Sequence, residues 1–173
     1  RSRKRIRNHL EMAFPDLDDS QRRTIERGSA RHFGLMLSEV AWLWHARPQD
    51  VENLCVLEGV ENFFEALEGG HGVIFTTGHC GTWEILSARL PIAGVPLTTA
   101  ARQLDDPHLD KLVTNLRSRF GTEIIVRGPA AGKKMIRSLA GNRVAALLID
   151  QDIRDIPGVF VPFFGRPAWT PSG

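Results

Sequence analysis

GVIFTTGHCGTWEILSARLP, residues 72–91, is the stretch on which the reading of the whole chain turns. Residues 72–77 are an apolar run of strand length, rich in residues that suit a buried strand. Gly78 to Thr82 interrupt it with two glycines, and Trp83 to Leu90 is helical, followed by Pro91. A strand, a tight turn and a helix in so short a span is the opening of an alternating α/β pattern. The plain reading is a strand–turn–helix that happens to carry two polar residues, His79 and Glu84. The functional reading is a catalytic pair set at that turn.

The alternation extends outward in both directions. Residues 62–68 predict a short helix closed by Gly69-Gly70, and PLTTAA (96–101) predicts a second strand. Asp105-Asp106-Pro107 opens a helix whose Leu109, Leu112, Val113, Leu116 and Phe120 share a face. TEIIV (122–126) is a third strand, residues 131–140 a helix ended by Gly141, and RVAALLID (143–150) a fourth strand. Toward the start, residues 18–47 read as one long helix. Asp18 and Gln21 form a capping box there, Phe33, Met36, Leu37, Val40, Ala41 and Trp44 share one face, and Pro48 lies just beyond its end. The expected fold is therefore α/β, with a mostly parallel central sheet flanked by helices and an N-terminal helical segment. Ligands of such sheets sit beyond the carboxyl ends of the strands. GHCGTWE, ARQLDD and DQD fall there, after the first, second and fourth strands.

Composition bounds the function. With 42% hydrophobic and 24% charged residues in 173, the chain has material for one ordinary globular core. A net charge of +2 makes no demand for nucleic acid, and the five basic side chains of RSRKRIR (1–7) come with no basic stripe or aromatic platform. That cluster reads either as the cytoplasmic flank of a removed membrane helix or as a solvated basic tail. Two cysteines, Cys55 and Cys80, make no disulfide framework, and a reducing compartment follows. The chain starts at Arg1 and stops at WTPSG, so a fragment of a longer protein is expected.

His79 and Glu84 are five apart, which inside one helix would separate them by ~140°. With His79 in the turn and Glu84 in the first helical turn, the carboxylate can reach back to one imidazole nitrogen and fix the tautomer. The other nitrogen then accepts a proton from a hydroxyl, an effect worth ~10²–10⁴ in rate. No protein nucleophile accompanies the pair, so the hydroxyl of the substrate is the nucleophile. There is no GxSxG, HExxH or CxxC, and one His plus one Glu is too few ligands for zinc. GPAAGKK (128–134) is one residue short of a phosphate loop and lacks its Ser/Thr, so it reads as a helix start. Cys80 reads as a small buried or half-buried filler.

FPDLDDSQRRTIER (14–27), GHCGTWE (78–84), ARQLDDPHLDKL (101–112), NLRSRFG (115–121), LLIDQD (147–152) and GVFVPFFGRPAWTPSG (158–173) occur in this order. Together they resemble the bacterial lipid A biosynthesis acyltransferases, the late, Kdo-dependent enzymes of the lysophospholipid-acyltransferase superfamily, over nearly the whole chain. HCGTWE is similar to the H-x4-E signature of that family. The resemblance implies a glycerol-3-phosphate-acyltransferase-like fold, with residues 1–50 a membrane-proximal helical segment and residues 51–173 an α/β core truncated at its C-terminus. It implies transfer of a fatty acyl chain from an acyl carrier protein or CoA thioester to a hydroxyl of a glycolipid acceptor, at the cytoplasmic face of the inner membrane. His79 would deprotonate the acceptor and Glu84 would hold His79. No metal or nucleotide is implied, and the thioester donor does not stay bound.

By position Arg102, Arg117 and Asp150 match further polar residues of the family. Arg102 and Arg117 suit a phosphate of the lipid or of the phosphopantetheine arm; for Arg117 a solvated helix face is the alternative. Asp150 and Asp152 either contact substrate or cap the turn after the fourth strand. Phe163, Phe164 and Gly165 either line an acyl or acceptor groove or belong to the core. Thr82 stands where asparagine is common in the family and Gln103 where proline is usual, which leaves the acceptor open. A phosphatidylinositol mannoside or lysophospholipid acceptor, or a non-catalytic lipid-binding module, are the other readings.

Overall fold

The computed structural model describes residues 2–151, 153 and 157–171. Seven helices and six strands follow in the order α1 (Ser2–Ala13), α2 (Asp19–Leu43), α3 (Pro48–Leu54), α4 (Glu61–Leu67), β1 (Val73–Thr77), α5 (Trp83–Ile92), β2 (Leu97–Ala101), α6 (Pro107–Ser118), β3 (Glu123–Val126), α7 (Ala131–Ala140), β4 (Val144–Leu148), β5 (Gly158–Phe163) and β6 (Arg166–Pro171). They form two compact units, residues 39–148 and residues 1–38 with 149–173.

In the first of these, β1, β4, β2 and β3 form a wholly parallel sheet in that spatial order. Each connection carries a helix, as parallel pairing requires. The expected α/β architecture is thus the observed one. The core lies in two clusters. Leu90, Val95, Leu97, Val144 and Ala146 pack with partly buried residues from α4, α5 and β1. Leu43, Ala46, Val51, Ile85, Ala88 and Leu116 join the end of α2 to α3, α5 and α6.

Several local expectations change. Residues 18–47 are not one helix. The capping box is present, with Asp18 N–H donating to Gln21 Oε1 and Gln21 N–H to Asp18 Oδ1. The helix nevertheless ends at Leu43, where Arg119 Nη1 donates to the carbonyls of Leu43 and Trp44. Arg47, held extended by the ring of Pro48, then starts α3. Of the expected apolar face Met36 is buried, but Phe33 and Leu37 are exposed. Strand β1 is an edge strand that alternates half-buried and exposed residues rather than one buried throughout. Helix α5 runs through Pro91 instead of stopping before it. Proline cannot donate to the carbonyl four residues back, and Thr122 Oγ1 supplies that bond to Ser87 O at 2.6 Å.

In the second unit α1 accompanies the antiparallel hairpin β5–β6. No helix among the described residues is long and apolar enough to cross a membrane.

Candidate active site

The site grows from the junction of β1 and α5. After Thr77 the chain turns through Gly78 to Thr82, and Gly81 adopts φ +62°, with open space where a Cβ would stand. That backbone region suits glycine and strains most other residues. His79 is half-buried in this turn and Glu84 lies in the first turn of α5, the placement that the spacing demanded. Thr82 precedes the helix. Its carbonyl accepts from the Ile85 and Leu86 amides, while its hydroxyl donates not to the helix but to Glu39 Oε2, near the end of α2.

The partner of Glu84 differs from the expectation. Its carboxylate is gripped by Arg117 of α6, with Nε donating to Oε2 at 2.9 Å and to Oε1 at 3.1 Å, and Nη2 to Oε1 at 2.5 Å. Trp83 Nε1 adds a bond to Oε1 at 3.2 Å. A guanidinium fork satisfies both carboxylate oxygens with charge assistance, which a single imidazole N–H cannot match. The His79 ring meets that of Trp83, edge to face, with centroids 4.8 Å apart. Trp83 therefore touches both members of the expected pair. Arg117 is no solvated helix residue, since its side chain is 25% exposed and that of Glu84 12%. The hydrogen bond to Glu84 raises the Arg117 pKa above its ordinary value, against the opposing effect of burial.

His79, Trp83, Glu84 and Arg117 line a cavity of about 100 Å³ together with Phe75, Leu86, Leu90 and Leu97. That is below the ~150 Å³ hollow that admits benzene. As it stands the cavity accepts a small polar group and a few carbons, not a whole acyl chain. A half-buried imidazole, a fixed carboxylate–guanidinium pair and apolar walls together suit proton transfer from a hydroxyl in a partly dry setting.

Over residues 1–173 the sequence matches the family described as bacterial lipid A biosynthesis acyltransferase. The chain belongs to that family. It is 29% identical over 161 residues to the lipid A biosynthesis acyltransferase of Haemophilus influenzae, an alignment covering 93% of this chain and 50% of the relative. It is 28% identical over 176 residues to the lipid A biosynthesis lauroyltransferase of Escherichia coli K12, covering 100% and 56%. The chain spans about half the length of the curated relatives it matches.

The remaining candidates of this lipid A acyltransferase family member fall on several elements. Arg102, at the end of β2, is exposed and pairs with Asp105 at 3.0 Å. Asp150 belongs to the other unit, where it lines a hollow with α1 and the hairpin. Asp152 lies outside the described residues. Phe163 ends β5, and Phe164 and Gly165 form the hairpin turn; both phenylalanines are exposed, which removes the core alternative. Cys80 is exposed rather than buried. Trp83 and Glu39 were missed. Trp83 was visible as an aromatic four residues after the histidine, but nothing in the sequence linked Glu39 to a threonine 43 positions away. Among the described residues no cluster of three or more His, Cys, Asp or Glu side chains is placed to hold a metal ion.

Proposed function

We propose that this protein is an O-acyltransferase that moves a fatty acyl chain from an acyl carrier protein or CoA thioester to a hydroxyl of a lipid A precursor, at the cytoplasmic face of the inner membrane. The observation that carries the reading is family membership over the whole chain, joined to a histidine and a clamped glutamate on one cavity. His79 takes the proton from the acceptor hydroxyl as its oxygen attacks the thioester carbonyl. The C–O bond forms, the C–S bond breaks, and the proton passes to the departing sulfur. Glu84 acts through its neighbours: with Trp83 and Arg117 it fixes the wall against which the imidazole rests. Arg102, Asp150 and Asp152 are assigned to substrate contacts, and Phe163, Phe164 and Gly165 to contacts with lipid.

The test is to incubate the protein and its His79→Ala variant with acyl carrier protein thioester and lipid A precursor, and to follow products by mass spectrometry. A gain of one acyl chain, lost in a folded variant, is the expected result. Equal products from both would remove His79 from the mechanism. Product only with a lysophospholipid or phosphatidylinositol mannoside would change the acceptor, and lipid binding without any product would leave a binding module.

A further inference from the structure

The tip of the β5–β6 hairpin is built against the usual preferences of its turn. Phe163 pairs with Arg166 across the hairpin, leaving Phe164 and Gly165 as a two-residue loop. Both have positive φ, +49° and +69°, the pattern of a type I′ turn. Glycine and asparagine adopt that region readily, whereas a bulky aromatic residue does not. Phe164 nevertheless occupies it and is 54% exposed, beside Phe163 at 65% and Phe160 at 69%. Stacking on Phe14 and Phe163 offsets part of that strain, yet about half of Phe164 stays open to solvent, which points to use of the ring from outside.

The surroundings identify what meets it. Arg166 Nε donates to the Met12 carbonyl at 3.1 Å, and the Phe14 and Phe164 rings stack edge to face 5.0 Å apart, so α1 and the hairpin share one face. Two hollows adjoin there and share His9, Met12 and Arg166. One is walled by Phe160, Phe163, Phe164 and Trp169, with Asp150 at its edge. The other is lined by Lys4 and Arg5, with Glu11 as its acid. Exposed rings beside a cationic helix fit the two layers of an anionic bilayer surface, hydrocarbon below and phosphate above.

We infer that α1 and the β5–β6 hairpin form the docking surface of this protein for an anionic membrane, with Phe163 and Phe164 entering the acyl layer and Lys4, Arg5 and Arg166 meeting lipid phosphates. The inference rests on the proposed place at the inner membrane, and because it is tested with neither donor nor acceptor present its failure would leave acyl transfer untouched.

The deciding experiment is flotation with vesicles of phosphatidylcholine, with and without phosphatidylglycerol, using the full chain. Phe164→Asn creates the Asn-Gly pair that a type I′ turn favours. It should stay folded, relief of the turn strain offsetting the lost contact with Phe14, while binding phosphatidylglycerol vesicles about tenfold more weakly. Lys4→Glu/Arg5→Glu should lose at least about fivefold per residue on phosphatidylglycerol vesicles and little on phosphatidylcholine alone. Vesicle binding by Phe164→Asn equal to wild type overturns the inference, as does equal wild-type binding to both vesicle types. A wild-type dimer that Phe164→Asn dissolves without change in flotation would assign the face to a second copy and also overturn it.

Discussion

Arg117 clamps Glu84 with three hydrogen bonds between 2.5 and 3.1 Å, across from one helix to the next. The clamp explains why a carboxylate beside an apolar cavity is tolerated, since a partly buried charge needs both a counter-charge and filled lone pairs. Removing Arg117 leaves Glu84 half-satisfied. Arg117→Ala should cost about 1–3 kcal/mol in chemical denaturation and reduce acyl transfer. Arg117→Lys should restore charge but not the two-pronged geometry, and should recover little of the activity. Because Glu84 raises the Arg117 pKa, this contribution is complete throughout the neutral range and is lost only in strong alkali, as pH rises through the raised folded value. Stability profiles of wild type and Arg117→Ala should therefore run parallel across the neutral range.

Trp83 joins His79 to Glu84 by a ring contact on one side and a hydrogen bond on the other. Phe in its place keeps the first and deletes the second. Trp83→Phe should lower kcat by less than about tenfold, in line with a net hydrogen bond of 0.5–1.5 kcal/mol. Trp83→Ala should cost more in kcat than Trp83→Phe at similar KM. Equal kinetics for the two variants would show that the ring contact does not position the imidazole.

Glu39 accepts from the Thr82 hydroxyl and so ties the turn that bears His79 to α2. Glu39→Ala and Thr82→Val should each reduce kcat about tenfold, because small displacements of the proposed base are expensive. Their double variant should lose no more than either alone, and Glu39→Gln should stay near wild type. Additive losses would mean that the two side chains act independently.

Thr122 is buried, and its hydroxyl takes the Ser87 carbonyl that Pro91 leaves without a donor. Thr122→Val should destabilise by about 1–3 kcal/mol. In a Pro91→Ala background the restored amide at residue 91 can reach Ser87, and the same substitution should cost clearly less. Urea midpoints of the four proteins measure the difference.

Asp50 receives the Arg47 backbone amide and guanidinium at 2.8–2.9 Å, which lowers its pKa from 3.8 to about 2, chiefly through the side-chain bond. A lowered carboxylate pKa stabilises above the unfolded value and loses that contribution as pH falls through the folded one. Wild type should exceed Asp50→Ala in melting temperature above pH ~4, with the gap closing toward pH ~2. A gap independent of pH in that window would assign the effect to helix propensity instead.

Much of this protein is legible along its chain because the governing physics is local. The period of apolar residues in 72–77, 96–101, 122–126 and 143–150, with Pro107 and Gly141 as punctuation, specified the parallel α/β sheet nearly strand for strand. The Gly-flanked spacing of His79 and Glu84 likewise set a turn followed by a helix, since no single helix would let those side chains meet. Which group each side chain then meets was decided by tertiary structure. Glu84 is five residues from His79 but 33 from Arg117, and only the packing of α5 beside α6 brings the guanidinium fork to it. The same holds for Glu39 and Thr82, for Thr122 beneath Pro91, and for a hairpin tip that exposes Phe163 and Phe164 instead of burying them. Hydrogen bonds and charge pairs go to the strongest partner within reach, and reach is a property of the folded chain.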